Sequence, residues 1–71
     1  MAGEMSHEQF VQHLFGGMTE KELQKYAQYG QALFKAAAEA TNSGDHTYDY
    51  LGAAGERIAQ DTEKLLKERR Q

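Results

Sequence analysis

Seventy-one residues with no cysteine make one small domain at most and exclude both a disulfide framework and a thiolate metal site. Eleven acids against eight bases, a net charge of −3, disfavour uniform binding to a nucleic-acid backbone, which needs a cationic surface. The longest apolar runs are about three residues, such as Ala36-Ala37-Ala38, far from the roughly 20 that cross a bilayer.

The first five residues carry neither a basic n-region nor an apolar h-region, so no secretion signal is expected and cytoplasmic residence is the default. Strand formers are scarce: one Val, one Ile and four Thr. Ala, Leu, Glu, Gln and Lys dominate, and these favour helices. Proline is absent, so nothing forces a break inside a helix.

Ser6 with Gln9 three residues on has capping-box spacing and opens a first helix over about 7–15. Phe10, Val11, Leu14 and Phe15 follow at helical spacing. Gly16-Gly17 then stop it, glycine being suited to a left-handed C-terminal turn. This end, with Val11 and Leu14 before Phe15-Gly16-Gly17, loosely resembles the double-glycine leader of exported peptide bacteriocins. That pattern has a glutamate where this sequence has Phe10, and the remainder here is charge-rich and near neutral. The helix-stop reading of the glycine pair takes precedence.

Thr19-Glu20-Lys21-Glu22 is a second capping box, with two acids in the positive first turn of a helix over about 20–41. Leu23, Tyr26, Ala27, Gly30, Leu33, Phe34, Ala37 and Thr41 form its stripe at steps of three and four. Asn42-Ser43-Gly44 supplies loop chemistry. Asp45 or Thr47 is the expected cap of a third helix over about 47–69. Its stripe is Tyr48, Leu51, Gly52, Gly55, Ile58, Ala59, Thr62, Leu65 and Leu66. The acid-rich start and base-rich end of this segment match the helix dipole.

Two stripes of similar length across a short loop predict an antiparallel hairpin. The fold class is therefore all-α: a helical hairpin plus a short N-terminal helix, forming either a three-helix bundle or a dimeric helical assembly. Helical glycine costs about 1 kcal/mol against alanine. Glycines at 30, 52 and 55 on buried faces therefore imply close backbone approach, within the hairpin or to a partner.

Reactive constellations are missing. No cysteine nucleophile exists, no serine lies in a Gly-x-Ser-x-Gly elbow, and Gly52-Ala53-Ala54-Gly55 lacks the lysine and hydroxyl of a P-loop. An enzyme is not expected, nor is a cofactor. His7 and His13 are six apart and cannot chelate together on one helix. His46 and Asp49 meet on one turn, but two mixed ligands are too few for a metal site. A helix-turn-helix wants a basic helix after a short turn. Here the third helix begins acidic and the second is neutral.

The tyrosines are more informative. Tyr26 and Tyr48 fall on the stripes, whereas Tyr29 and Tyr50 fall off them, and tyrosine is enriched at binding hot spots. The expectation is a non-catalytic protein-interaction module. Its surface comprises Tyr29 and Tyr50 with Asp49, Glu56 and Arg57. Its partner is a larger protein or a second copy of the chain. Inhibitors and adaptors encoded by bacteria or phages are the class it brings to mind. The alternative is a small nucleic-acid-binding regulator using Lys64, Lys67, Arg69 and Arg70 at the basic end.

Overall fold

The computed structural model describes residues 3–70. Met1 and Ala2 of the N-terminal stretch read above, and Gln71, lie outside them. The described residues contain three helices and no strand: α1 (His7–Phe15), α2 (Glu20–Asn42) and α3 (Asp49–Arg69). The all-α expectation holds. α2 and α3 pack against each other, as in a three-helix bundle.

Both expected capping boxes form. Ser6 Oγ accepts the Gln9 amide at 3.2 Å while Gln9 Oε1 accepts the Ser6 amide at 3.0 Å. Thr19 and Glu22 repeat the exchange at 3.1 and 2.9 Å. Each box satisfies two amides that a helix N-terminus leaves without partners.

The helix ends depart from expectation in two places. Gly16 is right-handed, with φ −61°, so the glycine pair ends α1 without a left-handed turn. A side chain from the far end of the chain supplies the cap instead. Arg69 donates through Nη2 to the Gly16 carbonyl at 2.9 Å and through Nη1 to the Met18 carbonyl. The left-handed glycine is Gly44, with φ 89°. There the amides of Gly44 and Asp45 return to the carbonyls of Thr41 and Ala40, both at 2.9 Å, closing a Schellman turn after α2. The second departure is at α3. It starts at Asp49, two residues later than expected, and neither Asp45 nor Thr47 caps it. Asp45 instead accepts the Thr47 amide at 2.9 Å, inside the loop.

The hairpin register is antiparallel along its whole length. Thr41 meets Asp49, Ala37 meets Gly52, Gly30 meets Gly55 and Ala59, and Gln31 meets Glu63. The seam is so narrow that a Cβ on Gly30 would lie 2.5 Å from the Gly55 carbonyl oxygen. One on Gly52 would lie 2.8 Å from the Ala37 Cβ. The glycines are thus used within the hairpin. Close axes leave no room for large rings between the helices, which displaces Tyr26 and Phe34 to half-exposed flanks. Tyr48 is displaced for another reason: it lies before the first turn of α3 and is also half-exposed.

The larger apolar side chains gather at one end, where α1 crosses the hairpin. Val11, Phe15, Leu23, Leu65 and Leu66 form the core there, with Met18 and Ile58 against it. Thr62 is fully buried. Its hydroxyl donates to the Ile58 carbonyl at 2.7 Å and also contacts that of Ala59. Only one flank of α1 meets the hairpin. Phe10 and Leu14, counted above among its apolar positions, remain about half exposed.

Candidate functional site

Four of the five residues expected at a protein-binding surface belong to one helix. Asp49, Tyr50, Glu56 and Arg57 occupy positions i, i+1, i+7 and i+8 of α3, which fall on one side of an α-helix. Tyr50 is the most exposed large apolar side chain among the described residues, at 69%. Asp49 is held in place beside it. Its carboxylate accepts the Thr41 hydroxyl at 2.6 Å and pairs with His46 Nδ1 at 3.1 Å. Those two bonds, the Thr41 hydroxyl first, hold its pKa below the ordinary carboxylate value. Glu56 accepts from the Gln60 amide at 3.2 Å.

Arg57 belongs to a small network that ties α1 to α3. His7 Nε2 lies 3.1 Å from Asp61 Oδ1, and Arg57 Nη2 lies 3.4 Å from His7 Nδ1. One tautomer serves both contacts: Nε2–H donates to Asp61 and Nδ1 accepts from Arg57. Sequence reasoning missed this network because its members are 50 and 54 residues apart. A lone histidine on an amphipathic helix carries no local mark of such a partner.

Tyr29, the fifth expected residue, lies on the other long helix and is distant from Tyr50 along the hairpin. In the hairpin register it is level with residue 60 of α3, and Tyr50 is level with residue 39 of α2. Ten residues of helix separate the two levels, about 15 Å along the axis. Tyr29 lines a shallow cleft with Glu22, Lys25 and Tyr26 on α2. Tyr26 in turn meets the ring of Phe15 edge-on, with centroids 6.2 Å apart.

Phe10 and Leu14 of α1 are also about half exposed. Glu8 and Gln12, on the opposite flank of α1, lie over Asp61, Lys64 and Glu68 of α3. Sequence reasoning counted Phe10 and Leu14 with Val11 and Phe15 as one apolar series and did not separate the buried pair from the exposed one. The available signal was angular: on so short a helix, Phe10 and Leu14 point about 100° away from Val11 and Phe15, too wide an arc for a single contact.

The basic end is partly occupied. Arg69 is bound to the α1–α2 turn as described, and Arg70 pairs with Glu20 at 2.9 Å. Lys64 borders the cleft between α1 and α3. Among the described residues no three of His, Asp and Glu converge as a metal site would require, and no helix is long and apolar enough to cross a membrane. Comparison with protein-family models, curated proteins and solved structures finds no match for this chain.

Proposed function

We propose that this chain is a non-catalytic protein-interaction module whose outer α3 face docks on a larger protein and acts there as an inhibitor or adaptor. The observation that carries the reading is Tyr50, a largely exposed aromatic among Asp49, Glu56 and Arg57 on one helix face. An aromatic anchor ringed by charged residues is the usual composition of a protein-binding hot spot and its rim. The hydrogen bonds that pin Asp49 support it, because a side chain fixed before binding loses less entropy on docking.

The nucleic-acid alternative draws on four cations, and two of them, Arg69 and Arg70, have partners within the chain. The test is affinity capture from the native host followed by mass spectrometry, comparing wild type with Tyr50→Ser and Arg57→Ser. Loss of a reproducibly captured protein, with the helical circular dichroism intact, is the expected outcome. Undiminished capture by both variants sinks the α3 face. Salt-sensitive binding to duplex DNA or RNA that disappears in Lys64→Glu with Lys67→Glu would favour the alternative.

A further inference from the structure

We propose that α1 is a strap: it opens from the hairpin as a unit while α2 and α3 stay paired, and its opening frees Arg57 of the docking face. The opening itself is independent of the reading above. Its effect on docking rests on that reading, because Arg57 belongs to the α3 face.

α1 is lightly held. Val11 and Phe15 are its buried residues, and every other position from His7 to Leu14 is exposed. A helix of nine residues is too short to be stable alone in water. α1 therefore owes its form to those two side chains and to a few polar ties. At its N-terminal end His7, with a side chain 47% exposed, reaches Asp61 and accepts from Arg57. Ties so open to solvent give little hold. A cleft of about 140 Å³ lies between α1 and α3 and reaches Val11 and Leu65. Even the buried side of α1 is thus incompletely packed.

The hairpin is held by contacts that omit α1. Gly30 lies against Gly55 and Ala59, and Ala37 lies against Gly52. Gln31 donates to Glu63 and Thr41 donates to Asp49, both at 2.6 Å. Among the described residues, α2 and α3 are the closely packed pair of helices. Segments with few buried contacts open locally, at a lower free energy than global unfolding requires. Here the division falls between α1 and the rest.

The pivot is the α1–α2 turn. Arg69 reaches from α3 to the carbonyls of Gly16 and Met18, so the turn stays docked when α1 leaves. On opening, Val11 and Phe15 separate from Leu23, Leu65 and Leu66. At the other end of α1, His7 separates from Asp61 and Arg57. The Arg57 guanidinium, no longer tied to α1, is then free to contact a protein docked at Tyr50.

Native-state hydrogen exchange of the wild-type chain, followed by NMR in increasing urea, tests the strap. Amides of residues 10–16 are expected to exchange roughly tenfold or more faster than those of Gly30 and Ala59. Their exchange should change little with urea, because opening α1 exposes little surface. Exchange at Gly30 and Ala59 should follow the full unfolding slope. Phe15→Ala removes an anchor two turns from His7, roughly 12 Å along α1. It is expected to leave α2 and α3 helical and to move the Arg57 Nε resonance towards its position in His7→Ala. Equal exchange and equal urea dependence in α1 and the seam overturn the strap, as does loss of α2 and α3 helicity in Phe15→Ala. An Arg57 resonance that ignores Phe15→Ala overturns the link to Arg57.

Affinity capture separates this proposal from the docking reading. Where Tyr50→Ser lowers capture, His7→Ala is expected to raise it by roughly twofold or more. Unchanged capture by His7→Ala overturns control of docking by α1. Capture indifferent to Tyr50→Ser, together with fast exchange in α1, removes the docking face and leaves the strap.

Discussion

Gly30 and Gly55 face each other across the α2–α3 seam so closely that a Cβ on either would stand 2.5 or 2.6 Å from the other's carbonyl oxygen. The obstacle on both sides is backbone, which cannot swing aside as a long side chain can. The seam width is therefore set by these two residues, and it governs which neighbours are buried and which are pushed to the flanks.

Alanine at either position raises helix propensity by about 1 kcal/mol and still destabilises the protein. Overpacking costs about 1–3 kcal/mol beyond that gain. In a domain of this size each kcal/mol shifts the melting temperature by about 4–8 °C. Gly30→Ala and Gly55→Ala are each expected to lower it by roughly 4–24 °C. Gly17→Ala, where a Cβ would meet nothing within 4 Å, is the control and should leave melting within a few degrees of wild type.

Two neighbouring arginines are expected to differ sharply. Arg69 closes the α1–α2 turn through two carbonyls, and hydrogen bonds from charged donors contribute about 1.5–3 kcal/mol before solvent exposure reduces them. Arg69→Ala is expected to cost about 1 kcal/mol and to speed amide exchange in α1 more than in α2. Arg70 makes a surface pair with Glu20, both side chains being more than half exposed. Such pairs contribute about 0–1 kcal/mol, so Arg70→Ala should shift urea midpoints only marginally. Equal effects from the two substitutions would remove the capping role given to Arg69.

Acid should weaken the fold through three carboxylates. The Thr19 amide and then its hydroxyl hold Glu22 low. The Thr47 hydroxyl and then its amide hold Asp45 low. The Thr41 hydroxyl and then His46 hold Asp49 low. Each folded pKa lies beneath its ordinary value of 4.5 or 3.8. Between the two values the unfolded chain binds more protons, so stability rises with pH. The contribution is complete above the ordinary carboxylate values and disappears as pH falls through the folded ones. Urea midpoints are expected to be flat with respect to these groups above about pH 5.5 and to fall towards pH 3. Thr41→Val should flatten part of that fall by releasing Asp49.

The core end is where truncation should matter most. Leu23 is fully buried, and Leu→Ala in such a site costs about 2–5 kcal/mol. A chain this short has little stability in reserve, so Leu23→Ala is expected to be largely unfolded at 25 °C by circular dichroism. Thr62→Val should be nearly silent, within about 1 kcal/mol. The lost hydroxyl bonds only to carbonyls of its own helix, and removing it leaves no orphaned donor. A large loss of stability in Thr62→Val would show that the hydroxyl does more than satisfy itself.

The sequence by itself determined the three helices, their two capping boxes, the glycine end of α2 and the antiparallel pairing. These follow from neighbours within about four residues and from a repeating apolar stripe, and such signals need no knowledge of distant contacts. It also marked the glycines as places of close approach, though not against what. Tertiary structure alone decided which flank of α1 is buried, leaving Phe10 and Leu14 outside. It brought Arg69 to the α1–α2 turn and His7 to Asp61. It also divided the expected binding surface between two helices, with Asp49, Tyr50, Glu56 and Arg57 on α3 and Tyr29 on α2. All three outcomes depend on how the helices are placed beside one another. That placement is set by the close backbone approach at Gly30 and Gly55 and by partners some 50 residues away, for which no local pattern in the chain carries a signal.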